Sequence, residues 1–171
     1  MASGPEPGPA PDGSAPDGST KPDSKRPKRA ANDELVRSRR AGRRLALASV
    51  FEAEFGQRTA DVILERHLAT EGDEEAAALA RELVANVVRH RDSLDATITA
   101  AAPQYPVVQL ARMDRALLRC GLSEVLHSPA TPARVAIAEW VELARTYSGD
   151  PMRRLMNGVL GRVARDQSAT G

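Results

Sequence analysis

The residues best equipped for chemistry in this chain are arginines. Arg37, Arg39, Arg40, Arg43 and Arg44 crowd into one short stretch. A guanidinium is planar, permanently charged and able to hold a phosphate or a carboxylate through two parallel hydrogen bonds. The neighbourhood strengthens the signal: residues 21–44 carry ten Lys/Arg against Asp23, Asp33 and Glu34, whereas residues 45–171 carry 14 Arg against 17 acids. The formal net charge of +1 hides this asymmetry. A polyanion would meet the N-terminal end first, which points to the backbone of RNA or DNA. The bland alternative is a solvated cluster paired with Asp33, Glu34 or more distant acids. Lys25, Arg26, Lys28 and Arg29 have the composition of a nuclear-import signal, but equally that of a basic arm that finds phosphates.

Other chemistries lack their residues. His67, His90 and His127 fall in three different predicted helices, without the partner spacing a metal site needs. The single cysteine, Cys120, lies in the apolar run Leu117 to Leu122, where a buried, inert thiol is expected, and it permits no internal disulfide. No P-loop, nucleophile elbow or dinucleotide fingerprint occurs; Gly158 and Gly161 lie inside a helical stripe with no preceding strand. No catalytic residue, no metal and no cofactor are therefore expected. Asp73, Glu74 and Glu75 open a predicted helix, where carboxylates meet the positive end of its dipole.

These residues need elements to position them. Aromatics are 3% of the chain, so the core must be aliphatic and alanine-rich, which favours packed helices and excludes RNA readers that need exposed aromatic platforms. Apolar residues recur at helical spacing from Asp33 to Val163, and the pattern predicts helices over 35–55, 59–68, 74–91, 94–101, 107–127, 132–147 and 151–165. Thr131-Pro132 and Asp150-Pro151 each place a capping residue before a proline at the first helical position. No stretch alternates convincingly as a strand, so the fold class is all-α. Residues 1–34 read as a disordered, Pro/Gly-rich tail with a basic end, 35–166 as the helical domain and 167–171 as a frayed terminus. No apolar run approaches a membrane span or signal peptide, so no membrane association and a cytoplasmic location are expected.

Periodicity makes two further demands. Trp140 lies on a stripe with Ile137, Val141 and Ala144 and reads as core. In the first helix Arg40, Arg43 and Arg44 share a stripe with Leu47, Val50, Phe51 and Phe55, and a core cannot bury three unpaired guanidinium groups. The helix is therefore expected to overhang its support, projecting these arginines into solvent or onto an anion. In the last helix Asn157-Gly158 keeps helical period, so the glycine implies either a closely packed neighbour or an asparagine displayed for contact.

Four pieces in order resemble a known family: Arg39-Arg40-Ala-Gly-Arg43-Arg44 with the run to Phe51; Met113-Asp-Arg-Ala-Leu-Leu-Arg119 with Glu124; Pro132 to Glu139 with Val141 to Arg145; and Asn157-Gly-Val-Leu160. Together, over about Arg37 to Arg165, they are similar to the NusB transcription antitermination factors. The resemblance implies two small helical bundles and no enzymatic activity. It implies binding of single-stranded boxA RNA together with the ribosomal protein NusE, in an antitermination complex with RNA polymerase on ribosomal RNA operons, and leaves a homodimer of the free protein open. Carried over by position, the RNA-facing residues are Arg39, Arg40, Arg43, Phe51, Arg154 and Asn157, joined by Arg37 and Arg44 from the basic stripe; Asp114 and Arg115 face NusE. Departures occur at Ala48, Leu155 and Phe51, where relatives often carry Gln, an aromatic and Tyr, and Arg44 stands where they can be acidic; these shift the weight toward phosphate contacts. Two other readings compete. One is a helical protein-interaction or DNA-binding module; the other is a fragment of an RNA cytosine methyltransferase, whose methyl-donor domain the sequence lacks.

Overall fold

The computed structural model describes residues 1–5, 8 and 26–170. The expected disorder of the tail falls mostly outside these residues. Six α-helices account for the described chain: α1 (Arg26–Ala53), α2 (Ala60–Leu68), α3 (Glu74–Ala101), α4 (Arg112–His127), α5 (Ala133–Ser148) and α6 (Asp150–Thr170), with one 3-10 turn at Val107–Gln109. No strand occurs among the described residues.

Apart from shifts of one or two residues at helix ends, four boundaries differ from the sequence expectation. The last helix runs to Thr170 rather than Arg165, so residues 167–170, expected to fray, are helical; no breaker follows Arg165, and the Ser168 and Thr170 hydroxyls donate back to the Ala164 and Asp166 carbonyls. The first helix starts at Arg26 rather than Leu35. Residues 27–34 contain Ala30 and Ala31 and no breaker past the first turn, so the anchored helix propagates outward through them at little cost even though they bury nothing. The two helices expected over 74–91 and 94–101 are one, kinked where His90 leaves helical geometry (φ −110°, ψ 15°). Ser93 Oγ donates to the His90 carbonyl there, a local side-chain bond of the kind that competes with the helical ladder. The helix expected from Val107 splits, its first turn becoming the 3-10 segment.

The helices form two groups of three. α1, α2 and α3 pack on one another, as do α4, α5 and α6, while α3 and α1 join the groups by packing on α4. One largely aliphatic core runs through both: Leu47, Leu64, Leu83, Leu94 and Ile98 on one side meet Leu117, Leu118, Leu122, Trp140, Met156 and Leu160 on the other, all buried. Trp140 is wholly buried, as its stripe demanded. Two glycines allow this closeness. A β-carbon on Gly42 would lie 2.7 Å from the Ala76 carbonyl oxygen of α3, and one on Gly121 would lie 3.2 Å from both Trp140 and Leu160. Asp73 caps α3 by accepting from the Ala76 amide at 3.0 Å, which accounts for the acidic run without catalysis.

The α3 kink brings together two histidines that are 37 residues apart in sequence. His90 and His127 stack with ring centroids 3.9 Å apart and planes 14° from parallel. Burial and the neighbouring His90 both hold the His127 pKa below the ordinary histidine value. The folded state thus resists a proton that the unfolded chain accepts, so this contribution is complete above the ordinary histidine range and is lost as pH falls through it. Lowering pH from about 7.5 to about 5.5 should reduce the thermal midpoint, and His127→Asn should flatten that dependence. Midpoints measured across the range in both proteins check this; equal slopes would contradict it.

Candidate nucleic-acid interface

At 100° per residue the α1 arginines divide between two faces. Arg39 and Arg43, four apart, turn toward the body of the protein. Arg37, Arg40 and Arg44 lie within about 60° of one another on the outer edge and are exposed.

The inner face corrects the expected overhang. Arg43 is 2% exposed and is not available to solvent. Its Nε donates to Glu124 Oε2 at 2.9 Å and its Nη2 to Glu124 Oε1 at 2.7 Å. Glu124, on α4, is fully buried and also accepts from Trp140 Nε1 of α5 at 2.6 Å. The guanidinium is therefore not unpaired: a carboxylate 81 residues away in sequence neutralises it, and each Glu124 oxygen is occupied. Arg39 is partly covered and donates to Thr131 Oγ1 at 2.6 Å and Glu75 Oε1 at 3.3 Å. Thr131 accepts this bond, and α5 starts at Ala133 behind Pro132 with no side-chain capping bond. Cys120, one turn before Glu124, is buried, and burial with that carboxylate pushes its thiol far above the usual range, as expected of an inert thiol.

On the outer face, among the described residues, only Arg40 is engaged. Its Nε and Nη2 donate to both oxygens of Glu139 on α5, at 2.9 and 3.1 Å, and Glu139 raises its already high pKa through these bonds and its charge. Among the described residues Arg37 and Arg44 make no ion pair. Arg40 and Arg44 overlook a groove of about 570 Å³ against α5, whose other wall includes Glu139, Glu142, Leu143, Thr146 and Tyr147.

A second buried cluster lies toward the end of α1. Arg119 of α4 donates to Asp95 of α3 at 2.8 and 2.9 Å and to Glu54 just past α1. Burial works against its charge, but the bonds from Asp95 and Glu54 more than offset this and raise its pKa. Arg115, expected to face a protein partner, shares Glu54 at 2.9 Å and donates to the Leu110 carbonyl at 2.8 Å. Its charge is thus spent inside the molecule. Asp114 is half-buried and accepts from Ser148 Oγ.

Phe51 is also half-buried, with its ring edge-to-face against Phe55 at 5.4 Å. The ring in solvent is Phe55, 53% exposed, and the Arg112 guanidinium covers it 4.7 Å from its centroid. Sequence reasoning carried the first helix through Phe55 and placed its ring with the apolar stripe; the helix ends at Ala53, and Phe55 sits in the turn that follows.

The α6 residues stand elsewhere. α6 packs on α5, α4 and α3, so Arg154 and Asn157 are presented in solvent, with Arg154 lining a groove beside Gln104, Tyr105 and Gly158. A β-carbon on Gly158 would meet nothing within 4 Å. Close packing is therefore not the reason for that glycine. Among the described residues no cluster of His, Cys, Asp or Glu could hold a metal ion, and no helix is long and apolar enough to cross a membrane.

Fold and site together define a class: a small all-helical protein whose first helix presents a basic edge, held in place by buried ion pairs on its other face. The chain belongs to the NusB family, whose model matches residues 40–165. The transcription antitermination protein NusB of Dehalococcoides mccartyi is 36% identical over 132 residues, covering 77% of this chain and 92% of that protein. That of Chloroflexus aggregans is 39% identical over 132 residues, covering 75% and 88%. Among solved structures, T. maritima NusB superposes with a TM-score of 0.69 at 27% identity, over 74% of this chain and 90% of that one. A crystal structure of antitermination factors NusB and NusE in complex with dsRNA matches with a TM-score of 0.69 at 20% identity, over 76% and 98%, and shares the fold.

The two faces of α1 should respond differently to truncation. Arg43→Ala leaves Glu124 buried with half its partners and should cost about 3 to 5 kcal/mol, while Arg44→Ala should change stability by no more than about 0.5 kcal/mol. Urea unfolding of the two variants distinguishes them; equal costs would contradict the assignment of the faces.

Proposed function

We propose that this chain is a non-enzymatic transcription antitermination factor that binds boxA-type single-stranded RNA together with the ribosomal protein NusE. In this reading it acts in the cytoplasm, within an antitermination complex on RNA polymerase, and promotes processive transcription of ribosomal RNA operons. Family membership supports the activity, and the solved NusB–NusE complex with dsRNA makes RNA and NusE the natural partners to test. The observation that carries the RNA reading is the outward stripe Arg37, Arg40 and Arg44. Its spacing along one helix edge suits successive phosphates, and among the described residues two of its members have no carboxylate to leave.

Arg154 and Asn157 extend the proposed RNA surface onto α6. Arg39 stands at its border, and Phe51 and Arg43 support it from within. Asp114 is the candidate contact for NusE, with Arg115 fixing the turn that precedes it.

The charge reversals Arg37→Glu and Arg44→Glu, made together, should leave helical content unchanged because neither side chain holds the fold. RNA affinity should fall steeply. The slope of log affinity against log salt should flatten by about 1.4, at about 0.7 for each phosphate of a single strand that the protein no longer neutralises. Binding titrations across salt concentrations measure both. Unchanged affinity and slope in a folded double variant would place the RNA surface elsewhere.

A further inference from the structure

One outer arginine differs from its neighbours. Arg37 and Arg44 have no ion pair among the described residues, yet Arg40 between them is clamped by both oxygens of Glu139. The Arg40 side chain is nonetheless 54% exposed, while Glu139 is only 20% exposed. The carboxylate thus occupies the inner side of the guanidinium and has a second cation behind it: Arg43 Nη1 lies 3.8 Å from Glu139 Oε2. Arg43 itself is committed to Glu124. Glu142, the other acid on this wall, is taken up by Arg145.

We propose that Glu139 is an internal stand-in for a phosphate, a latch that Arg40 must leave to join the RNA backbone, so that the basic edge binds closely spaced phosphates and discriminates against isolated anions. The proposal rests on the RNA-binding reading of this edge. A single phosphate must compete with a carboxylate already held by two hydrogen bonds. A strand that engages Arg37 and Arg44 first brings its next phosphate to Arg40 at high effective concentration and wins that competition. Glu139 is not orphaned when Arg40 leaves, because Arg43 remains beside it, and this lowers the cost of opening the latch.

The test uses the full chain and a short single-stranded RNA of mixed sequence at low salt. Glu139→Gln should bind about three- to fivefold more tightly, the range expected from breaking a half-exposed ion pair in advance. Glu142→Gln removes the same unit of charge nearby and should produce a clearly smaller gain. In an Arg40→Gln background Glu139→Gln should produce no more than that smaller gain. Inorganic phosphate should compete with RNA better on Glu139→Gln than on the wild type. A folded Glu139→Gln protein that binds no more tightly than Glu142→Gln, or whose gain persists without Arg40, overturns the latch while leaving the RNA reading intact. A wild-type chain that binds no RNA overturns both. Should Glu139→Gln fail to fold, the Arg40 Nε–Hε resonance of the wild type decides: it shifts on adding RNA if Arg40 changes partner, and a resonance that stays put while RNA binds contradicts the latch.

Discussion

The structure depends on a charge buried where a core would otherwise exclude it. Arg43 of α1, Glu124 of α4 and Trp140 of α5 meet out of water, with one carboxylate accepting from the guanidinium on both oxygens and from the indole. Such a group contributes little net stability, since desolvation of the two ions offsets most of their attraction. Its effect is on geometry. A buried carboxylate left with any partner missing is so costly that the three helices are confined to the one arrangement that satisfies it. The Arg119 cluster, tying Asp95 and Glu54 to α4, imposes the same condition toward the other end of α1. Between the two, the helix has no freedom to roll.

That constraint is what makes the outer edge of α1 usable. A basic stripe on a freely rotating or fraying helix would offer charge without direction. Here Arg39 and Arg43 anchor the inner face, Gly42 lets α1 approach the α3 backbone as closely as side-chain packing permits, and Arg37, Arg40 and Arg44 are thereby held at fixed spacing toward solvent. The division follows from the period of the helix: arginines four apart share the inner face, and those three and seven apart share the outer one. α5 takes part in both, supplying Trp140 to the buried site and Glu139 to the exposed one.

Much of this was legible in the sequence. The all-helical class and most helix positions followed from apolar periodicity, Trp140 from its stripe, Cys120 from its apolar run, and the basic opening of α1 from charge counting. What escaped was pairing across long sequence separation. Periodicity put Arg43 on the apolar stripe correctly, and the inference that it must project into solvent failed because the partner, Glu124, lies 81 residues away on a helix whose own pattern reads as core. The same holds for Arg115, whose acid lies on a distant part of the chain, and for the His90–His127 stack, which exists only because α3 kinks. Local patterns report which face a residue occupies; they do not report what waits there. For Gly158 the open space beside it had no local signature either.

The central claim is that the buried Arg43–Glu124 pair orients α1 as one unit, each ion present for the other. A double-mutant cycle in urea unfolding, with Arg43→Met, Glu124→Leu and the two combined, tests it most directly, because the combined variant removes both charges and leaves none stranded. A mutually dependent pair predicts a double variant far more stable than the sum of the two single losses implies, with a coupling of about 3 kcal/mol. Losses that simply add would mean that the two residues act independently, and would contradict the account.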